Sequence, residues 1–449
     1  MTTDPDPAAD TDDTNTASAG RDASTDAGND PTSAVDDSAT GGHDPMTDGG
    51  GATAGAGPTF TDLDWDEHAG AGIVVTRTAL AFVGSLLALS AVFLYDYLFV
   101  APGLVLVGSW NPTIIDWLSL LSIVVLFFYV ALPLARRPRL TKQYWADLRE
   151  RRGATLSLAY LAVFTVAGLL GPRLWGHPRV APRGFEVATR GEPSSLPPFW
   201  AAGSMDVRRY CPTGAVDGLC HGTLIHPLGT TPIGQDVLAY VFAGARLALE
   251  VTVITAVILV PIATVVGTVA AYYGGRVDVV LMRYVDLQQA VPAFVVYLMV
   301  MFLYGPSVVA LILLFGLFDW DRIARRVRND AARRRDAGYV LAAESAGARR
   351  VDVIRRHLVP NVSGTVIAGL TTQVPFVLIM EATFSYLGVV DDDVGSWGYA
   401  VAVGLESSNA FTWWAYVFPA LALFLTALAI NQLGTALYEV LQPRQRNVE

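Results

Sequence analysis

The stretch Tyr339-Val-Leu-Ala-Ala-Glu-Ser-Ala-Gly-Ala-Arg-Arg-Val-Asp-Val-Ile-Arg-Arg-His-Leu-Val-Pro-Asn361 lies between two long apolar runs. Residues three and four apart share a helix face, so Ala342, Ala343 and Ala346 form one small-residue surface close to Glu344. Gly347 then permits a break or a close backbone approach. Val351, Ile354 and Leu358 give the following segment an apolar face, and Pro360 is expected to stop it. The pattern predicts a short helix, a bend and a second amphipathic helix. A partner could approach the small face closely, or the segment could simply lie on lipid headgroups with its arginines toward phosphate.

The flanking apolar runs identify the solvent. A span needs about 20 mainly apolar residues, and eight stretches qualify, at roughly 79–100, 113–134, 155–175, 246–273, 287–304, 306–323, 364–388 and 413–438. Tyr304-Gly305-Pro306 leaves the fifth and sixth short. Pro261, Pro292 and Pro375 fall inside spans, where neighbouring helices can satisfy the freed carbonyls. Arginine and lysine concentrate on the cytoplasmic side of membrane proteins. Loop 135–154 carries Arg136, Arg137, Arg139, Lys142, Arg149, Arg151 and Arg152, and loop 324–363 is richer still in arginine. Eight spans put both loops and both termini in the cytoplasm. Loop 389–412, acidic and without a basic residue, then falls outside.

Composition agrees. Of 449 residues, 52% are hydrophobic and 16% charged, against about 25% charged in soluble proteins. The net charge of −10 divides sharply. Residues 1–70 hold 16 acids and one base, Arg21, and the remainder sums to +5. A disordered acidic cytoplasmic tail over 1–70 is expected, because it has almost nothing to bury. The chain's one lysine, Lys142, is not in a phosphate-cradling G-x-x-x-x-G-K-[ST] loop, so any ATP used here is hydrolysed by another chain. No H-E-x-x-H cluster marks a membrane enzyme. No catalytic residue, metal site or nucleic-acid partner is expected.

Ala342, Ala343, Gly347 and Pro360 match in register the E-A-A…G…I-x-L-P loop of ABC importer permeases. His357-Leu-Val-Pro360-Asn361 resembles the R-H-I-L-P-N ending of the dipeptide/oligopeptide (DppC/OppC-type) subfamily. Leu341 stands where the motif has Glu, and Val359 replaces its penultimate Leu. His226-Pro227-Leu228-Gly229-Thr230-Thr231-Pro232-Ile233-Gly234-Gln235-Asp236 resembles the subfamily's H-P-L-G-T-D-x-x-G-R-D, with Gln235 for Arg and Thr231 for Asp. Tyr273 to Asp286, Glu381 to Gly388 and Ser396-Trp397-Gly398 also fit. The likeness covers about 150–446.

The resemblance implies an all-α polytopic membrane protein. Its six-span type I ABC importer permease core would carry two additional N-terminal spans of unread role. The domains would be the tail at 1–70, the extra helices with a basic loop at 71–150, and the first core span with a long extracellular loop at 151–245. The remaining core, at 246–442, contains the coupling loop 324–363. The implied function is ATP-driven import, by default of di- and oligopeptides, in the plasma membrane. Implied partners are a second permease, two ABC ATPase domains holding ATP and Mg, an extracellular substrate-binding protein and the lipid bilayer. An ion-coupled secondary transporter is the alternative.

Three features stay open. Cys211 and Cys220, in the long outer loop, form a disulfide, remain free thiols, or join His221 and His226 around a metal. Glu381 serves structure or touches substrate. Glu250 has Arg246 one turn away and is expected to pair with it.

Overall fold

The computed structural model describes residues 77–99, 112–175, 195–204, 211, 215–216, 219–390, 395–406 and 412–441. The acidic tail, Asp391, Asp392 and Asp393 lie outside the described residues. The first helix, α1, is Arg77–Phe99, and α2 (Ile114–Leu126) continues through a π-helical turn into α3 (Leu132–Arg136). After α4 (Pro138–Arg149) and α5 (Arg152–Trp175) comes a small antiparallel sheet of β1 (Ala202–Ser204), β2 (Ala215–Val216) and β3 (Leu219–His221), ordered β1-β3-β2.

The spine is α6 (Val237–Tyr273), 37 residues or about 55 Å long. Next come α7 (Gly275–Ala290), α8 (Ala293–Tyr304), α9 (Val308–Phe318) and α10 (Asp321–Arg335). The loop helices are α11 (Gly338–Ser345), α12 (Arg350–Val353) and, after another π-helical turn, α13 (Val359–Asn361). Then follow α14 (Ser363–Tyr386), α15 (Trp397–Glu406) and α16 (Trp414–Leu441).

Among the described residues, six helical stretches are long and apolar enough to cross a membrane: α1, α2 with α3, α5, α6, α14 and α16. The expected fifth and sixth spans are built differently. Helices α8 and α9 have 12 and 11 residues, about 18 and 17 Å, short of the ~30 Å hydrocarbon core. Each is lengthened across a break. Helix α7 meets α8 at 72°, because Pro292 stands at the α8 N-cap and has no N–H to continue the helix. Helix α9 passes into the arginine-rich α10 at Asp319–Trp320. Pro261 and Pro375, by contrast, lie within unbroken helices.

Helix contacts in lipid rely on small residues that let backbones approach. A Cβ on Gly316 would sit 2.8 Å from Ile258, and one on Gly267 would sit 2.6 Å from the Ala324 carbonyl. These pairings run α9 and α10 parallel to α6 and bring the 336–362 loop to the C-terminal end of α6. The same end receives the start of α5 and the end of α16, where Ser157 donates to Gln432 at 3.0 Å. The basic loops thus share one end of the bundle.

The added helices are not detached. Asp116 closes a capping box with Thr113 at the start of α2 and accepts from Arg246 of α6 at 2.7 Å. Ile115 and Leu118 pack against the core cluster around Val251 and Phe315.

Candidate functional site

The basic-end loop has the expected helix, bend and helix, and its geometry supplies the reason. Helix α11 ends in a Schellman motif, with Gly347 N–H donating to the Glu344 carbonyl at 2.9 Å and Ala348 N–H to Ala343 at 3.0 Å. Gly347 supplies the left-handed residue, φ +78°. A Cβ there would meet nothing within 4 Å, so conformation, not room inside this chain, asks for glycine.

Burial corrects the sequence-based faces. Ala342 and Ala346 are exposed, whereas Ala343 packs inward on Val340, Val353 and Leu358. Val351 is 69% exposed, and Val353 takes its place in the apolar seam. The register slips because Ile354–Leu358 is a π-helical turn, which adds a residue to the repeat. Pro360 does not stop the helix. It sits in α13, and the chain turns after it, at Asn361–Val362. Asn361 Nδ2 donates to the His357 carbonyl at 2.6 Å, and the His357 ring lies 6.3 Å from that of Tyr339. Glu344 accepts from Tyr272 Oη at 2.8 Å, which joins α11 to the last turn of α6. Tyr272 was not singled out in the sequence, since a tyrosine closing a span reads as an interface anchor.

At the opposite end the His226–Asp236 stretch forms a knot. Asp236 Oδ1 caps α6 through the Leu238 and Ala239 N–H groups at 2.7 and 3.3 Å. Its Oδ2 receives His226 Nδ1 at 2.8 Å and Trp175 Nε1 at 3.2 Å. Thr230 offers its carbonyl to Trp414 Nε1 at 3.0 Å, and its hydroxyl oxygen accepts from Leu196 N–H at 2.9 Å. Thr231, standing where the resemblance has Asp, accepts the Gln235 N–H at 3.1 Å.

Pro227 offers its carbonyl to Phe199 N–H, and Leu228 packs on Val237 and Trp414. Gly229 and Gly234 take φ of +81° and +85°, and a Cβ on Gly229 would press to 2.5 Å of the Leu196 carbonyl. The knot therefore ties the starts of α6 and α16 to the end of α5. Cys211 and Cys220, the latter in β3, are bonded to each other.

Glu381 is 4% exposed. It accepts from Ser385 Oγ at 3.1 Å and from Ser396, so its carboxylate holds the turn before α15. Glu250 accepts from Arg246 Nε at 2.8 Å. Asp319, in the break between α9 and α10, was passed over as part of an apolar run. The signal available was Asp319-Trp320-Asp321, two acids inside a stretch otherwise fit to span.

Residues 263–447 match the family described as the binding-protein-dependent transport system inner membrane component. The chain is 31% identical over 314 residues to the dipeptide transport system permease protein DppC of Bacillus subtilis, covering 69% of this chain and 88% of the relative. This chain belongs to the dipeptide/oligopeptide ABC permease family. The oligopeptide permease OppC of B. subtilis is 30% identical over 222 residues, 49% of this chain and 72% of that protein. OppC of Mycobacterium bovis is 34% identical over 227 residues, 50% and 77%. This permease is thus a multi-pass, inner-membrane transport component. Its family match includes the 336–362 loop, and α1 to α4 lie N-terminal to the match to the family description.

Proposed function

We propose that this permease is the membrane subunit of an ATP-driven importer of di- and oligopeptides and that the 336–362 loop couples it to an ATPase. The observation that carries the reading is α11 itself. It is a short helix with exposed small residues Ala342 and Ala346, ended by the Gly347 turn and joined through Tyr272–Glu344 to the spine of the bundle. A partner surface that grips α11 moves α6 with it. The basic end is cytoplasmic by the positive-inside rule, which places both termini there and the His226–Asp236 knot outside.

Two ABC ATPase domains hold ATP and Mg and supply the closing motion. An external binding protein delivers peptide, and a second permease completes the pathway. The ligand-dependent motion needs two states of the bundle that both sites bias. The residues of this chain bind, pack and transmit, and perform no chemistry. The test is co-purification of tagged wild type and Gly347→Trp from detergent. Recovery of a second permease and P-loop ATPases with wild type, and loss of the ATPases with the variant, is the expected result. Transport by the isolated chain without ATP would replace this reading with an ion-coupled transporter.

A further inference from the structure

A cleft of about 580 Å³ opens between the α7–α8 break, the α9–α10 break and the side of α14, lined among others by Gln288, Pro292, Asp319, Arg322, Gln373 and Phe376. Its depth follows from helix lengths. The residues from Ala293 to Tyr304 in α8 and from Val308 to Phe318 in α9 place the cleft about 17 Å from the turn at 305–307. Gln373 stands 13 residues before the end of α14 at Tyr386, about 20 Å along the helix. In a hydrocarbon core of about 30 Å, all three routes lead close to the middle. Broken helices at that depth are tolerated where they line a cavity, and transporters place substrate sites at such breaks.

Two side-chain atoms in the wall have no hydrogen-bond partner, Asp319 Oδ2 and Gln288 Oε1. Asp319 is 8% exposed, and its other oxygen accepts from Tyr297 Oη at 2.6 Å. Gln288 already donates its amide to the Phe318 carbonyl. Both orphans are acceptors, so what they lack is a donor, and beside a carboxylate the favoured donor is a cation. A peptide delivered for import carries one at its amino terminus, an ammonium with three N–H bonds.

Resting on the importer reading above, the geometry points to this cleft as the mid-membrane station for a peptide's free amino terminus, with Asp319 as its anionic acceptor. Gln288 Oε1 takes a second N–H. In the present conformation the orphan oxygens are covered by the cleft wall, and a change of access that spreads α8 from α9 uncovers them.

The test uses the complete importer with its binding protein in liposomes and trialanine as probe. Asp319→Asn is expected to assemble and to keep ATPase stimulation, while trialanine uptake falls roughly tenfold or more, the loss typical of a charge-assisted contact. A second readout is thiol labelling. The two native cysteines are bonded to each other, so Gln373→Cys adds one thiol in the cleft. Trialanine is expected to slow its alkylation during turnover, and Asp319→Asn to abolish that protection. Wild-type uptake by Asp319→Asn, absence of protection, or failure of the variant to assemble would each overturn the assignment. Wild-type uptake driven by a proton gradient without ATP would reassign Asp319 to cation coupling. No ATP-driven peptide uptake by wild type would instead sink the importer reading itself.

Discussion

Arg246 of α6 donates to Asp116 of α2 at 2.7 Å while its Nε holds Glu250 at 2.8 Å. One guanidinium therefore joins an added N-terminal helix to the spine of the transport core. Asp116 also receives the Thr113 N–H at 2.8 Å and the Thr113 hydroxyl at 2.9 Å, so the residue that anchors α2 also closes the capping box begun by Thr113. Charged side chains of this kind are expected to pair with one another near a membrane end.

Asp116→Ala should loosen α1–α3 from the core without unfolding it. A hydrogen bond to a charged group is worth about 1.5–3 kcal/mol, while Thr113 still caps α2 through the backbone N–H of residue 116. Co-expression of residues 1–136 with 137–449 checks this. Wild-type halves should co-purify and Asp116→Ala halves should separate. Equal recovery would assign the attachment to Ile115 and Leu118 packing.

Substitutions at Gly347 should rank by tolerance of positive φ and not by size. The Schellman turn at φ +78° costs a non-glycine residue about 1–2 kcal/mol, less for Asn. Assembly with the ATPases and peptide uptake should fall in the order Gly, Asn, Ala, Val. A ranking by volume would instead show that the partner presses directly on this position.

Tyr272→Phe removes the donor to Glu344 and nothing else, a loss of about 0.5–1.5 kcal/mol. Binding of the ATPases should persist, because α11 stays seated through Val340 on Val353 and Leu358. Peptide transported per ATP hydrolysed should decline. An unchanged ratio would remove Tyr272–Glu344 from the transmission route.

The outer knot predicts two different severities. Asp236→Ala uncaps α6 and releases His226 and Trp175, so thermal stability in detergent should drop by about 2 kcal/mol or more. His226→Gln removes one bond to a carboxylate that keeps its helix N–H groups, and should cost less than half as much. Comparable losses would make His226 the organising residue.

Much of the architecture was legible because lipid imposes it. Apolar runs of span length and the Ala342–Gly347–Pro360 spacing suffice for most of the spans and for the bent loop, since each depends on residues close in the chain. The His226–Asp236 motif was recognisable as a unit, though its role as a helix cap tied by Trp175 and Trp414 was not. Those tryptophans come from helices 61 residues before and 184 after the atoms they bond.

The remainder required tertiary structure, and the reasons are physical. A π-helical turn at Ile354–Leu358 shifts the periodicity on which face assignments rest, so Val353 is buried where Val351 was expected. Hydropathy averages over a window and so reads 287–304 and 306–323 as spans. It cannot register the 72° bend at Pro292 or the helix break at Asp319–Trp320 that buries a carboxylate among apolar helices. Asp116 and Arg246 are 130 residues apart, and no local pattern links them. By itself the sequence determined that this chain crosses a membrane, that its basic loops gather at one end of the bundle, and that the loop between α10 and α14 bends at Gly347. Which side chains meet across the bundle was decided only by packing, because a long-range contact depends on helix rotation and break angle, neither of which composition or spacing encodes.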